Sequence, residues 1–204
     1  MSSTAHLHIV VLAAGASTRL GRPKQLVAIG GRPALQHVLS NAVAVAGSAV
    51  TVVLGAQAAE MTPLLQHSSA AVLINRHWQE GIAASIRAGV NSLSSACDAV
   101  LLLLGDQVAV TASDLKRLVS AWNGQETVIA ASVYASQLGV PAIFPRWCFT
   151  ELLQLRGDQG AKAVITRYAS RLVHVPMPSA ALDLDTPEEV AAMQAKFTVN
   201  TEVL

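Results

Sequence analysis

The sequence predicts one three-layer α/β/α domain, residues 1–204, built on a mostly parallel sheet. Three observations predict it. Short apolar runs of strand length alternate with longer segments of helical periodicity, and that alternation implies crossover connections and parallel pairing. Apolar residues make up 52% of the chain and charged residues only 13%, which suits a sheet buried on both faces. A length of 204 residues supports one domain with a sizeable core, and no Pro/Gly/Ser-rich linker or internal repeat divides it.

The elements follow in order. The apolar run 7–12 is the first strand, and Pro33 suits the first turn of a helix over 33–46. A strand at 49–54, a short helix at 56–66 and a strand at 70–74 come next. A helix over 81–93 leads to the unbroken apolar run 99–104, the central strand. Thr111 or Ser113 supplies the N-cap of a helix ending at Trp122. Beyond a strand at 127–132 the pattern loosens. A short strand at 141–144, helices at 146–155 and 160–169, a strand at 172–175 and a closing helix at 187–197 capped by Thr186 or Asp185 are expected. Residues 198–204 read as a loose tail.

Composition excludes several function classes. The net charge is +1 with scattered Lys and Arg, and no basic stripe carries interleaved aromatics, so nucleic-acid binding is not expected. The run 99–104 is far shorter than the roughly 20 residues that span a bilayer, so no membrane association is expected. Cys97 and Cys148 lack CxxC spacing and read as buried free thiols. With no basic-then-apolar leader at the N-terminus, a reducing cytoplasmic location is expected. The six His residues show no zinc-type spacing beyond the weak His6/His8 pair at a strand start.

The most informative stretch is 9–24, Ile-Val-Val-Leu-Ala-Ala-Gly-Ala-Ser-Thr-Arg-Leu-Gly-Arg-Pro-Lys. A strand breaks into a loop of small residues that presents Arg19, Arg22 and Lys24 close together. Small residues let the backbone approach a ligand, and backbone N–H groups with cations bind polyphosphate. It is not a P-loop, because Lys24 follows Pro23 and precedes Gln25. Nor is it a dinucleotide fingerprint: Ser17 occupies the second Gly position and Gly21 comes one residue late. A dehydrogenase is further disfavoured because no acidic residue closes the strand near Leu54.

Two acidic signals follow. In Leu104-Gly105-Asp106-Gln107 a carboxylate sits immediately beyond the central strand, at the sheet end where ligands bind in such folds. A hard cation such as Mg²⁺ takes one or two carboxylates plus substrate phosphates, so Asp106 is a candidate ligand, against the plainer reading of a turn Asp. In Leu182-Asp183-Leu184-Asp185-Thr186-Pro187-Glu188-Glu189 an extended chain would point Asp183 and Asp185 the same way. By charge alone Asp185 is as readily an N-cap as a metal ligand. Gly81, Ser85 and Gly89 recur every four residues and share a helix face, for packing or for a flat ligand. Gly157-Asp158-Gln159-Gly160-Ala161-Lys162 joins two helices and carries both charge signs.

Taken together and in this order, these motifs resemble the nucleotidyltransferases of the molybdenum-cofactor type. Leu12, Ala13, Ala14, Gly15, Ser17, Arg19, Gly21 and Lys24 match the family's N-terminal signature, with Leu20 in place of Met. The Ala-Ala-Gly form is more similar to the cytidylyltransferase branch. Val108 replaces the Pro of Gly-Asp-Gln-Pro, Lys162 replaces an Arg, and Val140 stands where Gly139-x-Pro141 often carries His. The resemblance implies a Rossmann-like domain of the nucleotide-diphospho-sugar transferase type. It implies Mg²⁺-dependent transfer of CMP from CTP to a phosphorylated pterin-type acceptor, molybdenum-bound molybdopterin, with release of pyrophosphate. It implies Arg19, Lys24 and Asp106 as catalytic residues and Asp106 with Asp185 as metal ligands. Leu12, Ala13, Ala14, Gly15, Ser17, Arg19, Lys24, Gly81 and Ser85 would bind nucleotide, and Gly139, Pro141, Asp158 and Lys162 the acceptor. Asn75 and Trp78 would shape the turn before the helix. A molybdoenzyme or its chaperone would receive the product. The alternatives are a cytidylyltransferase or other NTP transferase acting on a sugar or polyol phosphate, and a non-catalytic nucleotide-binding cofactor-delivery protein.

Overall fold

The first strand among the described residues is β1 (Leu7–Ala13), whose last five residues are buried. A small antiparallel hairpin of β2 (Ala28–Ile29) and β3 (Arg32–Pro33) precedes helix α1 (Ala34–Ala46). Then come β4 (Val50–Leu54), α2 (Ala58–Met61), β5 (Ala71–Ile74), α3 (Ile82–Asn91) and β6 (Ala99–Leu104). The second half runs through α4 (Ala112–Trp122), β7 (Ile129–Tyr134), β8 (Gln137–Pro145), α5 (Phe149–Gln154) and α6 (Lys162–Arg167). It ends on β9 (Leu172–Pro176) and α7 (Pro187–Thr201). The computed structural model describes residues 5–17 and 20–201.

Seven strands form one sheet in the order β5-β4-β1-β6-β8-β7-β9. β5, β4, β1 and β6 are mutually parallel, and β9 pairs parallel with β7. The chain winds outward from β1 to β4 and β5, then crosses back to lay β6 against the other side of β1. The connections leaving β1 and β6 therefore diverge, which opens a crevice beyond their carboxyl ends. That crevice is where the loop after Ala13 and the Gly105–Asp106 turn meet.

Alternation along each strand divides the core into two layers. Ile9, Val11, Val52, Leu54, Leu101 and Leu103 face α1, α4 and the Val190/Met193 side of α7. Val10, Leu12, Val53, Val100, Leu102 and Phe144 face α3, α5 and α6. Both cysteines are buried free thiols, and no helix among the described residues is long and apolar enough to cross a membrane.

Several expectations are corrected. β8 runs antiparallel between β6 and β7, because β7 and β8 form a hairpin through Ala135 and Ser136, both at positive φ (47° and 60°). Such a two-residue turn favours Asn-Gly, and Ala-Ser hides it in the sequence. β8 also starts four residues before the expected 141, and β7 extends to Tyr134. Pro141 is tolerated inside the sheet because the register slips between Ala131 and Ser132, where no ladder N–H is required of it. The helix expected over 56–66 is a single α turn followed by a 3₁₀ turn, Thr62–Leu65, containing Pro63. The helices expected at 146–155 and 160–169 shorten to α5 and α6, with 3₁₀ turns at Arg146–Cys148 and Ala169–Arg171. Pro33 precedes the first turn of α1 rather than lying within it, as its backbone pairs with Ala28. α7 continues to Thr201, past the start of the expected tail, and residues 202–204 lie outside the described residues.

Candidate active site

The loop after β1 is held by side chains from within its own sequence. Ser17 adopts a left-handed conformation (φ 54°), and its hydroxyl accepts the Lys24 backbone N–H at 3.1 Å and donates to Gln25 Oε1 at 3.3 Å. Gln25, 2% exposed, reaches back to the Ala13 carbonyl at 3.5 Å. These bonds close the loop and start the 3₁₀ turn Lys24–Leu26, which aims the Lys24 side chain at the end of β6. Arg19, a candidate catalytic and nucleotide-binding residue, lies outside the described residues.

Lys24 Nζ is the centre of the arrangement. It pairs with Asp106 Oδ2 and, at 2.8 Å, with Asp185 Oδ1. Asp106 is 5% exposed, at the mouth of β6. Burial alone would lower the Lys24 ammonium pKa; the Asp106 and Asp185 carboxylates outweigh it and raise the value. The sequence left Asp185 between an N-cap and a metal ligand. Capping falls to its neighbours: Glu189 Oε2 accepts the Thr186 and Asp185 backbone N–H groups at 2.9 Å each, and Thr186 Oγ1 accepts the Glu189 N–H at 3.3 Å. This reciprocal box leaves the Asp185 carboxylate to face Lys24.

Leu184 is fully buried between Asp183 and Asp185, so both acids project outward together, as the alternation predicts. Asp183 is open to solvent on one side. The protein packed behind it and the nearby Asp106 and Asp185 charges push its carboxyl up to about 6. The neutral acid is thus the favoured form only below about pH 6. The stability tied to this group is full below the ordinary carboxylate value and is lost as pH rises through about 6. Asp183→Asn should therefore raise the melting temperature relative to wild type at pH 7.5, with the gap closing only as pH falls to about 4. Solvent screening limits the gain to about 1 kcal/mol or less. Thermal unfolding at both pH values checks it, and a gap independent of pH would contradict it.

Gln107, 1% exposed, ties three segments together. Its Oε1 accepts the Leu104 N–H at 3.2 Å, and its Nε2 donates to the Val140 carbonyl at 2.9 Å and to the Ala180 carbonyl at 3.4 Å. The strand bearing Asp106, the bulge of β8 and the segment leading to Asp183 and Asp185 are thereby held in fixed relation. The only sequence signal for this role is the position of Gln107 beside Asp106.

A cavity of about 370 Å³ opens next to Lys24 and Asp106. Leu12, Ala14, Gly15, Gln25, Ser85 and Asp158 are among its walls. Ala13 faces the opposite layer and contributes only its carbonyl to Gln25, while the site above Gly15 is open. Ser85, 3% exposed, accepts a hydrogen bond from Asn75 Nδ2 at 3.1 Å, and Asn75 Oδ1 accepts the His77 N–H at 2.9 Å. Asn75 thus shapes the turn, whereas Trp78 and Gln79 line the cavity itself. The small-residue face of α3 divides: Gly89 packs against Val10 on the sheet, whereas Gly81 abuts Gly157 and Asp158.

The four candidate acceptor residues differ in their surroundings. Asp158 lines the cavity. Gly139 and Pro141 are buried in the bulge, where the Tyr134 ring occupies the space that a side chain at 139 would take and its hydroxyl bonds the Val140 carbonyl at 3.1 Å. Lys162 is exposed and donates to Gln137 Oε1 at 2.6 Å. Tyr134 and Gln107 were not legible as parts of this region.

Two carboxylates converging on one cation form a hard-oxygen donor set. No group of three or more His, Cys, Asp or Glu among the described residues is arranged to hold a metal. The donors present fit an ion that draws its remaining ligands from substrate phosphates, as Mg²⁺ does.

Comparison with known proteins agrees with this architecture. The chain is 33% identical over 138 residues to the bifunctional protein GlmU of Xylella fastidiosa (strain 9a5c), covering 67% of this chain and 29% of that protein. The match therefore spans under a third of the length of that protein and less than half of the length of the other curated relatives such as GlmU of Desulfotalea psychrophila. The crystal structure of Rv0371c from Mycobacterium tuberculosis superposes with a TM-score of 0.81 at 26% identity, over 95% of this chain and all of that one. A second structure of that protein, a complex with manganese, gives a TM-score of 0.74 at 25% identity over the same shares. Molybdopterin-guanine dinucleotide biosynthesis protein A of Archaeoglobus fulgidus shares the fold, with a TM-score of 0.71 at 16% identity over 94% of this chain and 98% of that one. The model of the MobA-like NTP transferase domain matches residues 9–172, and the chain belongs to that family of nucleotidyltransferases.

Proposed function

We propose that this nucleotidyltransferase transfers CMP from CTP to a phosphorylated pterin-type acceptor, molybdenum-bound molybdopterin, with Mg²⁺ as its cation and pyrophosphate as the second product. The observation that carries the reading is the placement of Lys24 between Asp106 and Asp185 at the edge of a cavity walled by the small-residue loop. Preference for CTP rests on the Ala13-Ala14-Gly15 form of that loop. The pterin acceptor follows from the same sequence resemblance.

An oxygen of the acceptor phosphate attacks the α-phosphorus in line. The bond from that phosphorus to the β-phosphate oxygen breaks, and the electron pair leaves with pyrophosphate. The acceptor phosphate is already ionised at neutral pH, so no general base is required. Such transfers depend on positioning and charge neutralisation. Lys24 holds the triphosphate and offsets charge on the departing oxygens, and open backbone at Gly15 admits the phosphates closely. Asp106 and Asp185 would hold Mg²⁺, which supplies charge neutralisation between attacking and leaving oxygens when bound. Ser85 and Gly81 border the base and ribose. Asp158 and the Gly139–Pro141 bulge face the acceptor, with Lys162 at its outer edge. A molybdoenzyme or its chaperone would take the product.

Pyrophosphate release tests this, using each of CTP, GTP, UTP and ATP with Mg²⁺ and with pterin, sugar or polyol phosphates. Release only with CTP and the pterin phosphate is the expected result. Turnover with a sugar or polyol phosphate alone would replace the acceptor, and no release with any pair would overturn the enzymatic reading. Ser85→Leu should weaken CTP binding more than about tenfold by filling the cavity. Calorimetric titration checks it, and unchanged affinity would make that face of α3 a packing surface only.

A further inference from the structure

Lys24 stands at a partition. The cavity containing Asp106 and a second space of about 440 Å³ containing Asp185 share Gly15, Lys24, Ile82 and Asp158 in their walls. The Lys24 side chain is 21% exposed and that of Asp106 7%, so the ion pair lies largely out of water. In this state both carboxylates already have a cation, and it belongs to the chain itself. A divalent ion arriving alone must displace the ammonium from both carboxylates, so a largely buried cation loses its two counter-charges, which is costly. A triphosphate removes that cost by giving the displaced ammonium new oxygens to bind.

We propose that Lys24 is an internal counter-ion that couples the two ligands: a divalent cation binds tightly only together with a triphosphate, and the ammonium passes from the carboxylates to the phosphates as they enter. The inference rests on the nucleotidyl-transfer reading and adds regulation to the same site. Until nucleotide arrives, the ion pair keeps Asp106 and Asp185 converged and protects them from adventitious metal. By linkage, the coupling is reciprocal, so each ligand tightens the other by the same factor.

The test titrates Mn²⁺ alone, without nucleotide, into wild type, Lys24→Met and Arg22→Gln at fixed ionic strength, with free Mn²⁺ read by electron paramagnetic resonance. Both variants lose one positive charge, but the exposed Arg22 lies outside the described pair. Lys24→Met should bind Mn²⁺ about tenfold tighter than wild type or better, and Arg22→Gln should stay close to wild type. Should circular dichroism show Lys24→Met unfolded, Lys24→Gln carries the same expectation. Equal or weaker binding by the Lys24 variant, an equal gain in Arg22→Gln, or no Mn²⁺ binding by either Lys24 variant overturns the coupling. Pyrophosphate release by wild type reports separately on the parent reading. Tighter Mn²⁺ binding without any release keeps the counter-ion role and removes nucleotidyl transfer; release without the gain does the reverse.

Discussion

Asp106→Asn should lower the rate of pyrophosphate release by about a thousandfold while the protein stays folded. The substitution keeps the shape of a side chain that is 5% exposed and removes only its charge. Lys24 retains Asp185 at 2.8 Å, so the loop after β1 keeps an anchor. The expected stability loss is about 1 kcal/mol, a few degrees in melting temperature for a chain of this size. Steady-state rates at saturating metal, read beside a thermal melt, separate the two effects. A rate within tenfold of wild type would remove Asp106 from the reacting centre.

Gly81→Ala should cost the most stability for the smallest change in volume. Gly81 has φ 95° and ψ 179°, a region open to Gly and strained for other residues. A Cβ there would run into the Gly157 carbonyl and lie 2.6 Å from Asp158 Oδ1. Relief requires the 157–158 turn to move, which breaks the bond from the Ala83 N–H to the Gly157 carbonyl at 3.1 Å. Strain and lost contact together come to about 3 kcal/mol, a melting-temperature drop of about 6–12 °C. Because Asp158 lines the cavity, CTP affinity should fall in parallel. A drop under about 3 °C would mean that the turn yields freely.

In the first half of the fold the central strands were legible because each is a continuous apolar run buried on both faces. β1, β4 and β6 appear near their expected bounds for that reason. Of the two N-cap candidates, Thr111 and Ser113, the structure selects Thr111, which forms a reciprocal capping pair with Asp114. The second half was harder. A hairpin through Ala135–Ser136 carries no turn signature, and a proline inside β8 argues locally against a strand that a bulge makes possible. At the site, motif position picked out Lys24, Asp106 and Asp185, which the structure brings together. It missed Gln25, Gln107 and Tyr134, whose contributions depend on contacts to backbone carbonyls or to a bulge that only tertiary structure creates. It also grouped Gly139 and Lys162 with Asp158, of which only Asp158 lines the cavity, while Gly139 packs against Tyr134 and Lys162 bonds Gln137 on the same strand as Gly139.

The most direct measurement is an anomalous difference map from crystals grown with Mn²⁺ and a non-hydrolysable CTP analogue. One metal peak is expected about 2 Å from carboxylate oxygens of both Asp106 and Asp185, with Lys24 moved onto the phosphates. A peak away from either carboxylate, or an analogue bound with Lys24 still paired to both, would contradict it.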